Sequence, residues 1–236
     1  VYNLIALAYV ELHRYEEALA ANRRARELDP DNANYVYNAG LIYLDEGDPK
    51  QSELVFRQAL KRFPDSSLLY QGLSDSLFKL NRFGDAEEYL NRAAEISPNN
   101  ASVYIDMARL QYALGDGKKL GTAASKAIAF DSSNYLACFY YGTWLIQYQR
   151  DVDNGTAYIR KSVNLQPRFV EGLKSWGQIA WHRGHWTEAV RLYERAVTID
   201  PHNEQLFYLL SVAYRKIGED RKAERALAQY RMLAKQ

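Results

Sequence analysis

The sequence predicts an all-α protein made of about seven antiparallel helical hairpins in one array. Two observations lead to this prediction: prolines recur at a nearly constant interval, and small residues recur at fixed distances before them. The prolines that mark the interval are Pro30, Pro64, Pro98, Pro167 and Pro201, and Ser132 stands where one is missing. The intervals are 34 residues each, except for one of 35. Such a period is typical of proteins in which each repeat is one small unit of secondary structure.

The marks divide the chain into seven units within a single solenoid domain. We place the units approximately at residues 1–32, 33–66, 67–100, 101–134, 135–169, 170–203 and 204–236. Because a proline forces the residue before it out of the α region, each mark predicts the end of a helix. Side-chain acceptors for the start of the next helix follow at Asp31-Asn32, Asp65-Ser66, Asn99-Asn100 and Ser133-Asn134.

Turn residues in the middle of several units predict that each unit holds two helices. Glycines that interrupt the helical pattern stand at Gly47, Gly115, Gly184 and Gly218. Small residues recur in the second half of the units, at Ala18 and Ala25, Ser52 and Ala59, Ala86 and Ala93, Ala189 and Ala196, and Ala223. We interpret them as positions where the two helices of a hairpin come into close contact.

The sixth unit shows the repeat best. Its seventh, eighth, twentieth and twenty-fourth positions hold Trp176-Gly177, Ala189 and Tyr193, and its fourth, twenty-seventh and thirty-second hold Leu173, Ala196 and Pro201. The second unit matches nearly as well, with Gly40, Tyr43, Phe56, Ala59 and Pro64. These residues resemble the tetratricopeptide repeat family, and the resemblance covers essentially the whole chain. It implies a right-handed superhelical solenoid in which each hairpin is stabilised by stacking on its neighbours.

Composition and charge narrow the range of partners. Thirty basic and twenty-nine acidic side chains leave a formal charge of +1, which predicts no general attraction for nucleic acid. The one cysteine, Cys138, excludes an internal disulfide. No apolar run is long enough to predict a membrane span. Because Val1 falls inside a helical pattern, we expect the chain to be a piece of something longer, and both cytoplasm and periplasm stay open as its location.

The resemblance also implies a site, since tetratricopeptide arrays typically bind partners in a concave groove lined by the first helix of each hairpin. Carrying that lining over by position nominates Asn34, Tyr37, Asn38 and Leu41 in the second unit, Gln71, Asp75 and Phe78 in the third, and Ile105, Arg109 and Tyr112 in the fourth. The later units contribute Phe139, Thr143, Gln147, Lys174, Gln178, Trp181, Tyr208, Val212 and Arg215. Aromatic side chains accompanied by single charges suit a peptide or protein ligand.

No pattern in the sequence predicts catalysis, a metal or a cofactor. Glycine-rich phosphate loops, nucleophile elbows and zinc-hydrolase helices are missing. His182 and His185 have the spacing of a helical metal pair, but Gly184 separates them. We therefore expect a non-enzymatic scaffold for protein interactions. An RNA-binding helical array and a module that positions substrates for a larger enzyme remain alternatives, and apolar ends of the array predict possible end-to-end self-association.

Overall fold

The computed structural model describes residues 1–235, and every regular element within them is an α-helix. The described residues form fourteen helices: α1 Tyr2–Glu11, α2 Tyr15–Leu28, α3 Ala33–Glu46, α4 Pro49–Arg62, α5 Ser67–Lys79, α6 Phe83–Ile96, α7 Ala101–Leu114, α8 Gly117–Phe130, α9 Tyr135–Gln147, α10 Val152–Leu165, α11 Val170–His182, α12 Trp186–Ile199, α13 Glu204–Lys216 and α14 Asp220–Leu233. Each odd-numbered helix packs against the even-numbered helix that follows it. The predicted all-α array of helical hairpins is thus confirmed.

Contacts within the chain divide it into two compact units. The first unit, Val1–Phe130, contains α1 to α8, and the second, Asp131–Gln236, contains α9 to α14. Each of the seven sequence units encloses two of the described helices. The limits of those units, and their assembly into one solenoid domain, stay predictions.

Four helices begin at a side-chain acceptor that the sequence analysis predicted. Asn32, Asn100 and Asn134 each accept a hydrogen bond from a backbone N–H two residues further on, over 3.2, 3.0 and 2.9 Å. Ser66 caps α5 by accepting a hydrogen bond from the backbone N–H of Leu69, three residues further on, over 3.4 Å. The predicted acceptors are therefore confirmed as helix caps, which satisfy backbone donors that would otherwise have no partner.

The turns between paired helices use two kinds of residue. Gly47, Gly115, Gly184 and Gly218 have positive φ, as a left-handed turn requires and glycine readily permits. In three other hairpins the residue with positive φ is His13, Asn81 or Arg150. A left-handed conformation is costly for residues with a β-carbon, so these three turns are less favourable than the glycine turns.

In the first compact unit, the ring of Phe56 packs against glycines of two successive hairpins. A β-carbon added to Gly40 of α3 or to Gly72 of α5 would lie 2.2 or 2.3 Å from the ring of Phe56 in α4. Phe56 is completely buried, as are Ala18 and Ala86 at the small positions of the repeat. The ring therefore connects two successive hairpins through positions where neither helix has a side chain.

Each unit has its own hydrophobic core. In the first, Phe56 belongs to a cluster with Leu69, Leu73, Leu90 and other residues of α3 to α7. In the second, a cluster around Tyr193 and Leu206 spans α10 to α14. Exposed apolar side chains include Leu4 and Leu7 on α1, and self-association through them stays a prediction.

Candidate functional site

The first helices of three hairpins form a common wall in the first compact unit, Val1–Phe130. Helices α3 and α5 contact each other directly, and so do α5 and α7. Seven of the candidate residues on these helices are half-buried: Tyr37, Asn38, Leu41, Asp75, Phe78, Arg109 and Tyr112. We call this surface of α3, α5 and α7 the inner wall.

Two carboxylates share one guanidinium at the centre of the inner wall. Arg109 of α7 forms an ion pair with Asp75 of α5, and one of its nitrogens lies 3.1 Å from an oxygen of Asp106. The Asp75 and Asp106 side chains are 21% and 20% exposed, whereas that of Arg109 is 40% exposed. All three groups therefore remain within reach of a molecule that lies on the wall.

Burial makes the negative charge of these carboxylates unfavourable. It raises the pKa of Asp75, although Arg109 and Lys79 oppose the change. Burial, with the charge of Asp75 as the second cause, raises the pKa of Asp106 to about 7. Burial and then the same two carboxylates raise the pKa of Tyr37 on α3 to about 12.

Aromatic rings flank the network. The guanidinium of Arg109 lies over the ring of Phe78, 5.6 Å from its centroid, and Phe78 makes an edge contact with Phe83 at 5.4 Å between centroids. The ring of Tyr37 packs against Phe56, with 5.9 Å between centroids. The wall therefore combines charge with apolar surface held in place by the core.

Four candidates are buried, which corrects the expectation that they line an accessible groove. They are Gln71, Ile105, Phe139 and Thr143, all with exposed fractions of 6% or less. The Gln71 side chain accepts a hydrogen bond from Ser102 over 2.5 Å, and Phe139 packs edge-on against Phe169. Neighbouring helices enclose these side chains, so they support the surface rather than form it.

The remaining candidates lie on the first helices of the hairpins in the second compact unit, which begins at Asp131. Gln147, Tyr208, Val212 and Arg215 are exposed, while Lys174, Gln178 and Trp181 are half-buried. Lys174 forms a 2.8 Å ion pair with Glu171 and donates a 3.3 Å hydrogen bond to Gln205 of α13. The ring of Tyr208 packs against Tyr230 of α14. The contacts just described all lie within the second compact unit. Contact of these candidates with a partner stays a prediction.

Asp106 was missed by the sequence analysis, although the repeat could have revealed it. Asp106 occupies the same position of the repeat as Gly72, 34 residues earlier. Because it stands three residues before Arg109, it lies on the same side of α7 as that arginine. In the sequence analysis, the sixth position of the repeat nominated Asn38 within residues 33–66, but this position was not considered within residues 101–134.

Neither a metal cluster nor a membrane helix is present among residues 1–235. No group of three or more His, Cys, Asp or Glu residues in that range is placed to hold a metal ion. The side chains of His182 and His185 are exposed. Every helix in the described part of the chain is too short or too polar to cross a bilayer.

Comparisons with known proteins agree with this architecture. Two family models described as tetratricopeptide repeat match residues 3–67 and 37–101, and residues 180–236. The CTR9 homolog of Arabidopsis thaliana is 23% identical over 212 residues, which cover 86% of this chain and 19% of that protein. The chain spans only 19% to 41% of the length of the curated relatives that it matches.

Two solved structures show the same fold. The Cut9–Hcn1 hetero-tetramer of the APC/C superposes with a TM-score of 0.85 at 12% identity, covering 98% of this chain and 46% of that one. YrrB, described as a TPR protein with an unusual peptide-binding site, gives a TM-score of 0.55 at 19% identity and covers 75% of this chain and 91% of that one. At these identities the likeness establishes the arrangement of helices.

Proposed function

We propose, from the premise that the chain belongs to the tetratricopeptide repeat family, that it is a protein-interaction scaffold that binds a peptide or protein segment along the inner wall. The observation that supports this most is the network of Asp75, Asp106 and Arg109. These charged groups are partly buried on a surface instead of being fully solvated. A partner that hydrogen-bonds to them would recover interactions that water provides only in part.

The chemistry of the wall suits a polypeptide. The two carboxylates can accept hydrogen bonds from backbone N–H groups or from a basic side chain, and Arg109 can donate to a carbonyl or a carboxylate. Phe78 and Tyr37 add half-buried aromatic surface beside them. Aromatic and arginine side chains in a concave, partly desolvated surface are where interfaces concentrate their binding energy.

The relatives support the same class of function. One structure with this fold is a hetero-tetramer, and the other is described as having a peptide-binding site. Neither the RNA-binding alternative nor the enzyme-module alternative has a specific feature of the described residues in its favour.

A displayed library of random peptides, selected on the immobilised chain, tests the proposal. The selected peptides are then titrated against the wild type and against a double variant, Asp75→Asn with Asp106→Asn, which keeps the shape of both side chains. We expect the double variant to bind at least about tenfold more weakly at pH 8, because it loses both carboxylate acceptors.

A matched control changes an exposed carboxylate away from the wall. Asp85→Asn on α6 removes a charge that is paired with Arg82 and is 45% exposed, so we expect it to leave binding unchanged. Equal binding by the wild type and the double variant would contradict the proposal. Salt-sensitive binding of an RNA homopolymer in place of peptides would favour the RNA-binding alternative.

A further inference from the structure

A pocket opens on the side of α7 that faces away from the inner wall. It lies between α6 and α8, with α7 as its floor, and its volume is about 510 Å³. Tyr104, Met107 and Gln111 of α7 line it, and they stand on the face of that helix opposite Asp106 and Arg109. The volume lies in the range of roughly 300 to 1,000 Å³ that is typical of ligand sites. We call this cavity the outer pocket.

The preceding repeat shows which side chain fills the equivalent space. There the ring of Tyr89 in α6 stacks on Tyr70 of α5, with 6.0 Å between centroids and 19° between planes. Arg57 of α4 donates a 2.9 Å hydrogen bond to the hydroxyl of Tyr89, and its guanidinium lies 5.4 Å from the centre of that ring. In that repeat a tyrosine of the chain itself occupies the space between successive second helices.

The outer pocket keeps the platform of that arrangement but lacks the ring. Thirty-four residues after Tyr70 stands Tyr104, whereas thirty-four residues after Tyr89 stands Ala123. Asn91 likewise replaces Arg57. Asn91, Tyr104 and Ala123 all line the outer pocket. The cavity is therefore the space that a tyrosine side chain occupies one repeat earlier.

Polar groups in the pocket also suit a phenol. Gln111 is 4% exposed, and its amide nitrogen donates a 3.1 Å hydrogen bond to Glu87. Its amide oxygen is buried and accepts no hydrogen bond from any of residues 1–235. A buried acceptor without a donor is unfavourable, and a hydroxyl entering the pocket could supply one.

The charged side chains of the pocket are three lysines and two carboxylates, Glu87 and Asp116, and this excess of one positive charge favours a negatively charged partner. Lys119 is paired with Glu87 at 2.6 Å, but Lys118 and Lys126 form no ion pair within the described part of the chain. The Tyr104 ring is 5% exposed, since the ammonium group of Lys126 lies over it, 4.8 Å from its centre, and Phe130 packs against it with 5.5 Å between centroids. An incoming ring would therefore take the place of this ammonium group on Tyr104. Acidic residues on either side of that ring would meet these two cations.

We propose that the outer pocket receives a tyrosine side chain from an acidic segment of a protein partner. The incoming ring displaces the ammonium group of Lys126 from the face of Tyr104 and stacks there. Its hydroxyl donates to Gln111, and the flanking carboxylates approach Lys118 and the displaced Lys126. This surface is separate from the inner wall, and its occupation does not depend on the function proposed for that wall.

Titration with two synthetic peptides, followed by ¹⁵N NMR of the chain, tests the proposal. One peptide is acetyl-Glu-Asp-Tyr-Glu-Asp-amide, and the other has alanine in place of tyrosine. We expect the tyrosine peptide to shift the amide signals of α6, α7 and α8 around the pocket, and the alanine peptide to bind at least about fivefold more weakly. Equal binding of the two peptides would overturn the proposal.

A variant that fills the pocket from within provides a sharper test. Ala123→Tyr places in α8 the ring that Tyr89 provides one repeat earlier, so we expect it to weaken the tyrosine peptide by at least about tenfold. Its midpoint of thermal unfolding should stay the same or rise, because the ring fills a cavity. The matched control is Ala20→Tyr, which adds a tyrosine at an exposed position of α2, away from the outer pocket, and should leave binding unchanged.

A charge variant covers the case in which Ala123→Tyr does not fold. Lys126→Glu changes an exposed side chain of the rim, and we expect it to weaken the tyrosine peptide several-fold, with a smaller effect at high salt. Undiminished binding to a folded Ala123→Tyr variant, or to Lys126→Glu, would contradict the proposal. The Asp75→Asn, Asp106→Asn double variant should still bind the peptide, which separates this site from the inner wall.

Discussion

The carboxyl of Asp106 links the inner wall to the stability of the chain. Its pKa of about 7 lies well above the ordinary value of 3.8, chiefly because of burial. The folded state therefore binds more protons than the unfolded state between these values. Consequently, the free energy of unfolding that this group contributes is highest below pH 4 and decreases as the pH rises towards 7. At neutral pH the network on the proposed binding surface is therefore present at a cost to folding.

Asp106→Asn should remove this cost. We expect the free energy of unfolding to increase by on the order of 1 to 2 kcal/mol at pH 8, with little change at pH 4, because asparagine carries no charge to bury. Urea unfolding at pH 4, 6 and 8 measures the difference. Asp85→Asn is the control and should show no such dependence on pH. A loss of stability at pH 8 would indicate that the pairing of Asp106 with Arg109 outweighs its burial.

Ala189 tests close packing at a single position. It is fully buried in α12, where the repeat has a small residue. Ala189→Leu should reduce the free energy of unfolding by about 1 to 3 kcal/mol, because the added atoms have no space between the paired helices. Chemical denaturation measures the loss, and Ala129→Leu at an exposed position of α8 is the control. An unchanged free energy of unfolding would mean that the position is not tightly packed.

At the scale of the element, the turn between α9 and α10 is strained by its sequence. Arg150 has a φ of 56°, a left-handed conformation that costs a residue with a β-carbon roughly 1 to 2 kcal/mol. Arg150→Gly should therefore raise the free energy of unfolding by up to about 1 kcal/mol, since glycine relieves the strain but loses more entropy on folding. Asn81→Gly is the comparison, and we expect a smaller gain there because asparagine tolerates this conformation. Thermal unfolding of both variants would show the order, and a larger gain at Asn81 would contradict it.

The ends of the helices could be predicted from the sequence because their causes are local. A proline acts on the residue before it, and the side chain of Asn32 or Asn100 reaches a backbone N–H only two residues away. The burial of Gln71 and Ile105 could not be predicted in this way. It depends on neighbouring helices, and the position of a residue in the repeat does not determine how closely those helices approach. Asp106 was missed for a different reason, since the sixth position of the repeat, which nominated Asn38, was not applied to the repeat 101–134.

At the scale of the whole molecule, a repeat array gains its stability from contacts between neighbouring hairpins. Phe56→Ala removes a fully buried ring that packs on both α3 and α5, and such a change typically costs about 3 to 5 kcal/mol. We expect hydrogen-exchange protection to fall mainly within residues 1–130. Tyr193→Ala is the reciprocal variant and should act mainly within residues 131–235. An equal loss of protection throughout the chain after either change would show that it unfolds as one cooperative body.

The division after Phe130 had no counterpart in the sequence analysis. The repeat departs from its pattern here only by Ser132 in place of a proline and by the interval of 35 residues that follows, and no boundary was inferred from these departures. The number of hairpins could be predicted because it follows from the period alone. The grouping of hairpins into compact units depends on how many contacts each helix makes, which the period does not specify.

The seat of the Phe56 ring between Gly40 and Gly72 has a consequence for how such a chain can change in length. The Phe56 ring packs against two different hairpins at once. A repeat therefore cannot be shortened by a few residues without separating the ring from one of the two glycines. Duplication or loss of an entire 34-residue period would instead present a new hairpin with an equivalent surface. Changes in the length of this protein during evolution should therefore occur mainly as gain or loss of whole repeats, and insertions of other lengths should accumulate in the turns.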